Sequence, residues 1–134
     1  MIRSLFASLC VFLGGCADAA PPSASAGAPA ATVRNIDVAA LKADLDRAAV
    51  PLLIDVRTPG EFAGGHVPSA KNVPLDQLEA RIGELGSADA EVYVVCQSGA
   101  RSARASASLA AKGLHPVNIT GGTSAWRTAG FPVE

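Results

Sequence analysis

Glu91-Val92-Tyr93-Val94-Val95-Cys96-Gln97-Ser98-Gly99-Ala100-Arg101-Ser102, residues 91–102, is the stretch on which the fold turns. After Glu91 the run to Val95 is apolar without a polar residue at alternate positions. A strand of that kind is covered on both faces, as in a parallel sheet flanked by helices. Cys96 stands at its carboxyl end. Residues 101–112 then read as a helix, closed by Gly113. In open parallel sheets ligands bind outside the carboxyl ends of the strands, and the loop from Cys96 to Arg101 falls there.

The same alternation extends in both directions. Residues 52–56 (Leu-Leu-Ile-Asp-Val) form a second continuous run after Pro51. Residues 33–36 read as a short strand, Asp37 sits where an N-cap belongs, and residues 38–49 carry helical spacing through Val38, Leu41 and Leu45. Residues 57–74 read as a Gly- and Pro-rich loop with one helical turn around Glu61. Asp76 is expected to cap a helix over 77–85 that Gly86 ends. Beyond residue 113, residues 117–120 read as a strand, and Gly121-Gly122 turns the chain into a short helix holding Trp126. Strands alternating with helices predict an α/β fold, a small and mostly parallel sheet with helices on both faces. No internal repeat is visible.

The chain has 134 residues, room for one domain and little else. A formal net charge of −1 supplies no basic field for nucleic acid. Aromatic residues are 4% of the chain, so the core must come from Ala, Val, Leu and Ile. No uncharged apolar run reaches the roughly 18 residues of a transmembrane helix. A monomer is expected.

The chemistry centres on Cys96. The short loop of Gln97, Ser98, Gly99 and Ala100 can turn successive backbone N–H groups inward as an anion nest. The start of the following helix adds partial positive charge, and Arg101 adds a full one. All three favour thiolate over thiol, so Cys96 should titrate below an ordinary cysteine. Gly99 offers the conformational freedom such a cradle needs. A free cysteine is often only a small buried hydrophobe, but that reading leaves the polar loop and Arg101 unexplained.

The first residues read as an export signal. Met1, Ile2 and Arg3 give a short positive start, and residues 5–13 give an apolar stretch of h-region length. Leu13-Gly14-Gly15-Cys16 then resembles the lipobox of bacterial lipoproteins. That resemblance implies a signal peptide over 1–15, cleavage before Cys16, a diacylglycerol on Cys16, and a membrane-anchored protein facing the periplasm. Residues 17–31, rich in Ala, Pro, Ser and Gly, have no hydrophobic period and are expected to be a disordered tether within 16–31. A folded domain would occupy 32–134. Losing Arg3 with the leader leaves 10 basic against 12 acidic residues. Cys10 would leave with the leader and Cys16 would be blocked by lipid, so of the three cysteines only Cys96 would remain as a thiol.

Three motifs, in order, resemble those of single-domain rhodaneses, a family of sulfurtransferases. The first is Asp55-Val56-Arg57 with Glu61-Phe62, Gly65-His66-Val67, Ala70 and Asn72-Val73-Pro74. The second is Cys96 through Arg101 with Ser102. The third is Gly121-Gly122 followed by Trp126. The resemblance covers about residues 33–133. Ser69 stands where the family usually has Gly, Thr123 where it often has Trp. Gln97 and Ser98 are neutral where some thiosulfate-preferring members have basic residues. The resemblance implies a rhodanese-like fold and a two-step transfer. Cys96 would take the sulfane sulfur of a small donor such as thiosulfate. The persulfide would be held by the loop of Gln97, Ser98, Gly99, Ala100 and Arg101. A thiol or cyanide acceptor would then remove the sulfur. This is covalent nucleophilic catalysis with no cofactor and no metal. A persulfide carrier or relay needs the same residues, and a rhodanese-like binding module would not turn over substrate. Arsenate reductases and some dual-specificity phosphatases share the fold, but their cysteine-to-arginine loop is one residue longer. The shorter cradle here suits a sulfur atom better than a tetrahedral oxyanion.

Around the loop, Arg57 and Glu61 are spaced to form a salt bridge across one turn. His66 is expected to brace its loop, with a general base beside the cysteine as the alternative, and with His115 it shows no metal-ligand spacing. Trp126 is expected in the core. Asp55, ending a strand on the active edge, either approaches the site or caps a loop. Arg104, one turn beyond Arg101, either adds to the positive field or is solvated.

Overall fold

The computed structural model describes residues 31–134. The expected signal peptide, Cys16 and the tether up to residue 30 lie outside the described residues. In chain order the elements are β1 (Arg34–Ile36), α1 (Val38–Asp46), β2 (Leu53–Asp55), α2 (Pro59–Ala63), β3 (Lys71–Asn72), α3 (Leu78–Arg81), a 3-10 turn (Ile82–Glu84), β4 (Glu91–Val95), α4 (Ala100–Ala111), β5 (His115–Ile119) and α5 (Gly122–Thr128). The strands form one five-stranded sheet in the order β1-β5-β4-β2-β3, every neighbouring pair parallel.

Side chains alternate across a strand, so the apolar run of β4 divides between two faces. Val92, Val94 and Cys96 join Ile54 and Val56 under Leu78 of α3 and Ala105 and Leu109 of α4. Tyr93 and Val95 join Leu53, Val117 and Ile119 under Leu41 of α1 and Trp126 of α5. Two cores on one sheet explain why β2 and β4 lack polar alternation. Trp126 is core, as expected: it is 1% exposed, and its indole N–H donates to the Pro132 carbonyl at 2.7 Å.

The sheet order positions the site. From β2 the chain runs outward to β3 at one edge; from β4 it runs to β5 on the other side. The loops after β2 and β4 therefore leave in opposite directions, and a crevice opens between them at the carboxyl ends.

Where the structure departs from the sequence reading, the causes are local. β3 falls where the sequence predicts loop: it is two polar residues at a sheet edge, held by register with Ile54 and Asp55 and by the Asn72 side chain. α1 stops at Asp46, and Ala48 turns left-handed at φ +52°. Asp76 does not cap α3: it lies in a turn closed by the Gln77 N–H on the Pro74 carbonyl at 2.9 Å, and the helix starts at Leu78 with no side-chain cap. Past Arg81 that helix tightens into the 3-10 turn, where Gly83 weakens α-helix. Asp37 does cap α1, its carboxylate accepting from the Ala40 N–H at 2.8 Å. Ser69, where the resemblance implies glycine, adopts φ +66°. No helix of the described residues is long and apolar enough to cross a membrane.

Candidate active site

β4 delivers Cys96 to the crevice, and α4 begins four residues later at Ala100. A turn that tight needs one residue in the left-handed region. Gly99 supplies it at φ +105°, and a Cβ there would meet the Gly121 backbone nitrogen at 3.3 Å. The turn aims the Gly99 N–H at the Cys96 Sγ, 3.0 Å away. The first turn of α5 backs the loop: the Thr123 and Ser124 N–H groups donate to the carbonyls of Cys96 and Gln97 at 2.8 and 3.0 Å. Gly122 permits this approach, since a Cβ there would stand 2.3 Å from the Cys96 carbonyl oxygen. With these carbonyls bonded to α5, the loop's own N–H groups are left to face the sulfur.

Cys96 is fully buried. Burial, the largest single influence, pushes its thiol up. Hydrogen bonds from the Ser102 hydroxyl and from the N–H groups of Ser102, Gly99 and Ser98 outweigh burial, and the thiol lies below its ordinary value. Ser102 is itself buried, and its hydroxyl donates to the Gly99 carbonyl at 3.0 Å, so its single proton is shared between that carbonyl and the sulfur.

The ion pairs differ from the expected set. Arg57 does not pair with Glu61. Its Nε and Nη2 bond the Asp55 carboxylate at 2.7–3.0 Å, and its backbone N–H donates to Asp55 Oδ1 at 3.0 Å. Both residues are buried, and Asp55 caps the loop after β2 by accepting from the Arg57 N–H. Arg57 then donates to the Gly65 carbonyl at 3.0 Å and to Gln97 Oε1 at 3.3 Å. The reason lies in α2. Helical spacing does not hold for Arg57, which precedes the helix. Thr58 and Glu61 form a capping box that turns the Glu61 carboxylate back over the start of α2.

From there Glu61 takes Arg101 in a two-pronged pair at 2.8 and 2.7 Å. Arg101, with help from the Thr58 N–H, holds the Glu61 carboxyl down at about 2, and Glu61 in turn raises Arg101. The expected full positive charge beside Cys96 is therefore largely balanced by Glu61. Hydrogen bonds, more than a free guanidinium, favour the thiolate.

Of the remaining loop residues, Gln97 turns its side chain to Arg57 and to Ser124 (2.8 Å), tying the loop to its neighbours. Ser98 and Ala100 are exposed at the mouth of the loop. His66 braces: its ring stacks on Phe62 at 3.6 Å, Nδ1 lies 3.1 Å from the Phe62 carbonyl, and its backbone exchanges hydrogen bonds with Glu134. Arg104 is exposed and has no carboxylate partner among the described residues. Thr123 is fully buried, and its hydroxyl has no hydrogen-bond partner. Glu61 and α5 were not read as part of the site. The Thr58–Glu61 capping box was the available signal for the first, since it fixes a carboxylate at the active edge.

Fold and loop together define a class: a parallel α/β domain with one cysteine cradled by backbone N–H groups between a central strand and its helix. The chain belongs to the rhodanese-like family, whose sequence profile (Rhodanese-like domain) matches residues 37–129. It is similar to a sulfurtransferase of Allochromatium vinosum, 38% identical over 102 residues that cover 75% of this chain and 94% of that protein. It is 45% identical over 75 residues to the uncharacterized protein YqhL of Bacillus subtilis, covering 55% of this chain and 59% of YqhL. Among solved structures, a rhodanese-related protein of Thermoplasma volcanium superimposes with a TM-score of 0.67 at 32% identity, covering 75% of this chain and 97% of that one. These relatives support sulfur transfer as the general chemistry and establish the rhodanese-like fold.

The hydrogen bonds on Sγ make a checkable statement about pH. Alkylation of Cys96 by iodoacetamide should follow a titration with its midpoint below the roughly 8.5 of a free cysteine. Ser102→Ala, which removes a lowering contact, should move that midpoint upward. A midpoint at or above the ordinary value, or one indifferent to Ser102→Ala, would contradict this account of the loop.

Proposed function

We propose that the chain is a rhodanese-type sulfurtransferase that moves a sulfane sulfur through a persulfide on Cys96. The Gly99 N–H held 3.0 Å from Sγ carries this reading, because that donor is placed to stabilise charge on sulfur. The Cys96 thiolate attacks the outer sulfur of thiosulfate. An S–S bond forms to Cys96, the bond to the sulfonate sulfur breaks, and sulfite leaves with its electron pair. Cyanide or a thiolate then attacks the outer sulfur of the persulfide, and Cys96 departs as thiolate. No electron is gained from or lost to an outside partner.

Cys96 has no exposed surface of its own, and the exposed Ser98 and Ala100 mark the side of the loop nearest solvent. The size of the loop argues for sulfur over phosphate. Four residues separate Cys96 from Arg101, and Arg101 is held by Glu61, which leaves a short ring of N–H groups around the sulfur and no free guanidinium to clamp a phosphoryl group on it.

The test pairs two variants. Cys96→Ser should abolish thiocyanate formation from thiosulfate and cyanide while the fold survives by circular dichroism. A glycine inserted after Gly99 shifts the donors, and a displacement of about 1 Å costs on the order of 10²-fold in rate. Activity retained by Cys96→Ser, or aryl phosphate hydrolysis by the unaltered chain, would overturn the reading.

We further propose export and anchoring through a lipid on Cys16, facing the periplasm. The support is the sequence: Arg3, the apolar residues 5–13, and Leu13-Gly14-Gly15-Cys16 before a tether. Cys16→Ala should leave the protein unprocessed or free of membranes on fractionation. Processed variant still sedimenting with membranes would count against the anchor.

A further inference from the structure

A groove of about 480 Å³ lies beside the cysteine loop, lined by Val56, Pro74, Leu75, Asp76, Arg101 and Arg104 among others. That is within the roughly 300–1,000 Å³ of small-molecule sites. Arg101 belongs to both the loop and the groove wall, so the two adjoin. Its guanidinium is already occupied by Glu61. Two charges remain in the groove: Arg104 and Asp76, both exposed and neither in an ion pair among the described residues.

Opposite charges that share a groove without closing on each other select by exclusion. A simple anion drawn to Arg104 meets Asp76; a simple cation drawn to Asp76 meets Arg104. A ligand bearing both signs satisfies both. Leu75, half-buried, adds apolar surface to the groove, with Val56 and Pro74 buried in its wall. On the reading of Cys96 as a persulfide carrier in turnover, we propose that this groove seats the sulfur acceptor. It selects a low-molecular-weight thiol with an α-amino-acid group, its carboxylate on Arg104 and its ammonium on Asp76. The bound thiolate attacks the outer sulfur of the Cys96 persulfide. A new S–S bond forms on the acceptor, the bond to Cys96 breaks, and Cys96 leaves as thiolate.

The experiment uses protein loaded with thiosulfate, the loading checked by thiocyanate released with cyanide. Three acceptors follow: L-cysteine, cysteamine (no carboxylate) and 3-mercaptopropionate (no ammonium). Half-saturation is compared, variant against unaltered chain, for each thiol, so that intrinsic reactivity cancels. Arg104→Gln should raise half-saturation for L-cysteine and 3-mercaptopropionate about threefold to fivefold relative to cysteamine, the scale of one exposed ion pair. Asp76→Asn should do the same for L-cysteine and cysteamine relative to 3-mercaptopropionate. If either variant shifts all three thiols equally, or none, the groove does not read the amino-acid group. A chain that releases no thiocyanate fails at the persulfide itself, and the acceptor role of the groove falls with it.

Discussion

The buried ion pair of Asp55 with Arg57 is the contact on which the active edge depends. Both side chains are almost wholly out of water, at 0% and 2% exposure. A buried pair tolerates that only when its hydrogen bonds are filled, and removing one partner costs about 3–5 kcal/mol. Here they are filled by the site itself. Arg57 spends its remaining donors on the Gly65 carbonyl and on Gln97. Asn72 closes the same corner, its amide donating to the carbonyls of Asp55 and Arg57 at 3.1 and 2.9 Å. One guanidinium thus joins the end of β2, the loop before His66 and the cysteine loop after β4.

That arrangement divides the work among the arginines. Arg57 is structural and holds the loop through Gln97. Arg101 is bound to Glu61, whose carboxyl at about 2 stays ionised at any pH where a thiolate is useful. Neither guanidinium is free for an incoming anion. The loop therefore favours charge on sulfur through short-range donors: the Gly99 N–H at 3.0 Å, the neighbouring N–H groups and the Ser102 hydroxyl. Donors of this kind act at hydrogen-bond distance on charge held at one place, here the Cys96 sulfur.

What could be read from the sequence follows the range of the interactions. β4 was legible to the residue because burial on both faces leaves a continuous apolar run. α4 was legible because Gly99 and Gly113 punctuate it, both at positive φ. The Cys96 loop was legible because neighbouring residues make it. β3 was hidden, since two polar edge residues carry no pattern and owe their place to register with β2. The ion pairs were misread for a similar reason. Spacing along the chain suggested Arg57 with Glu61, while the fold brings Glu61 to Arg101, 40 residues away. The support from α5, through Gly122, Thr123 and Ser124, likewise depends on packing that a linear reading does not contain.

The central claim is that Cys96 carries sulfur, and mass spectrometry of the intact chain tests it most directly. After incubation with thiosulfate, the protein should gain the mass of one sulfur atom, located on the peptide holding Cys96 and removed by cyanide. No added sulfur, or sulfur that persists in Cys96→Ser, would contradict the account.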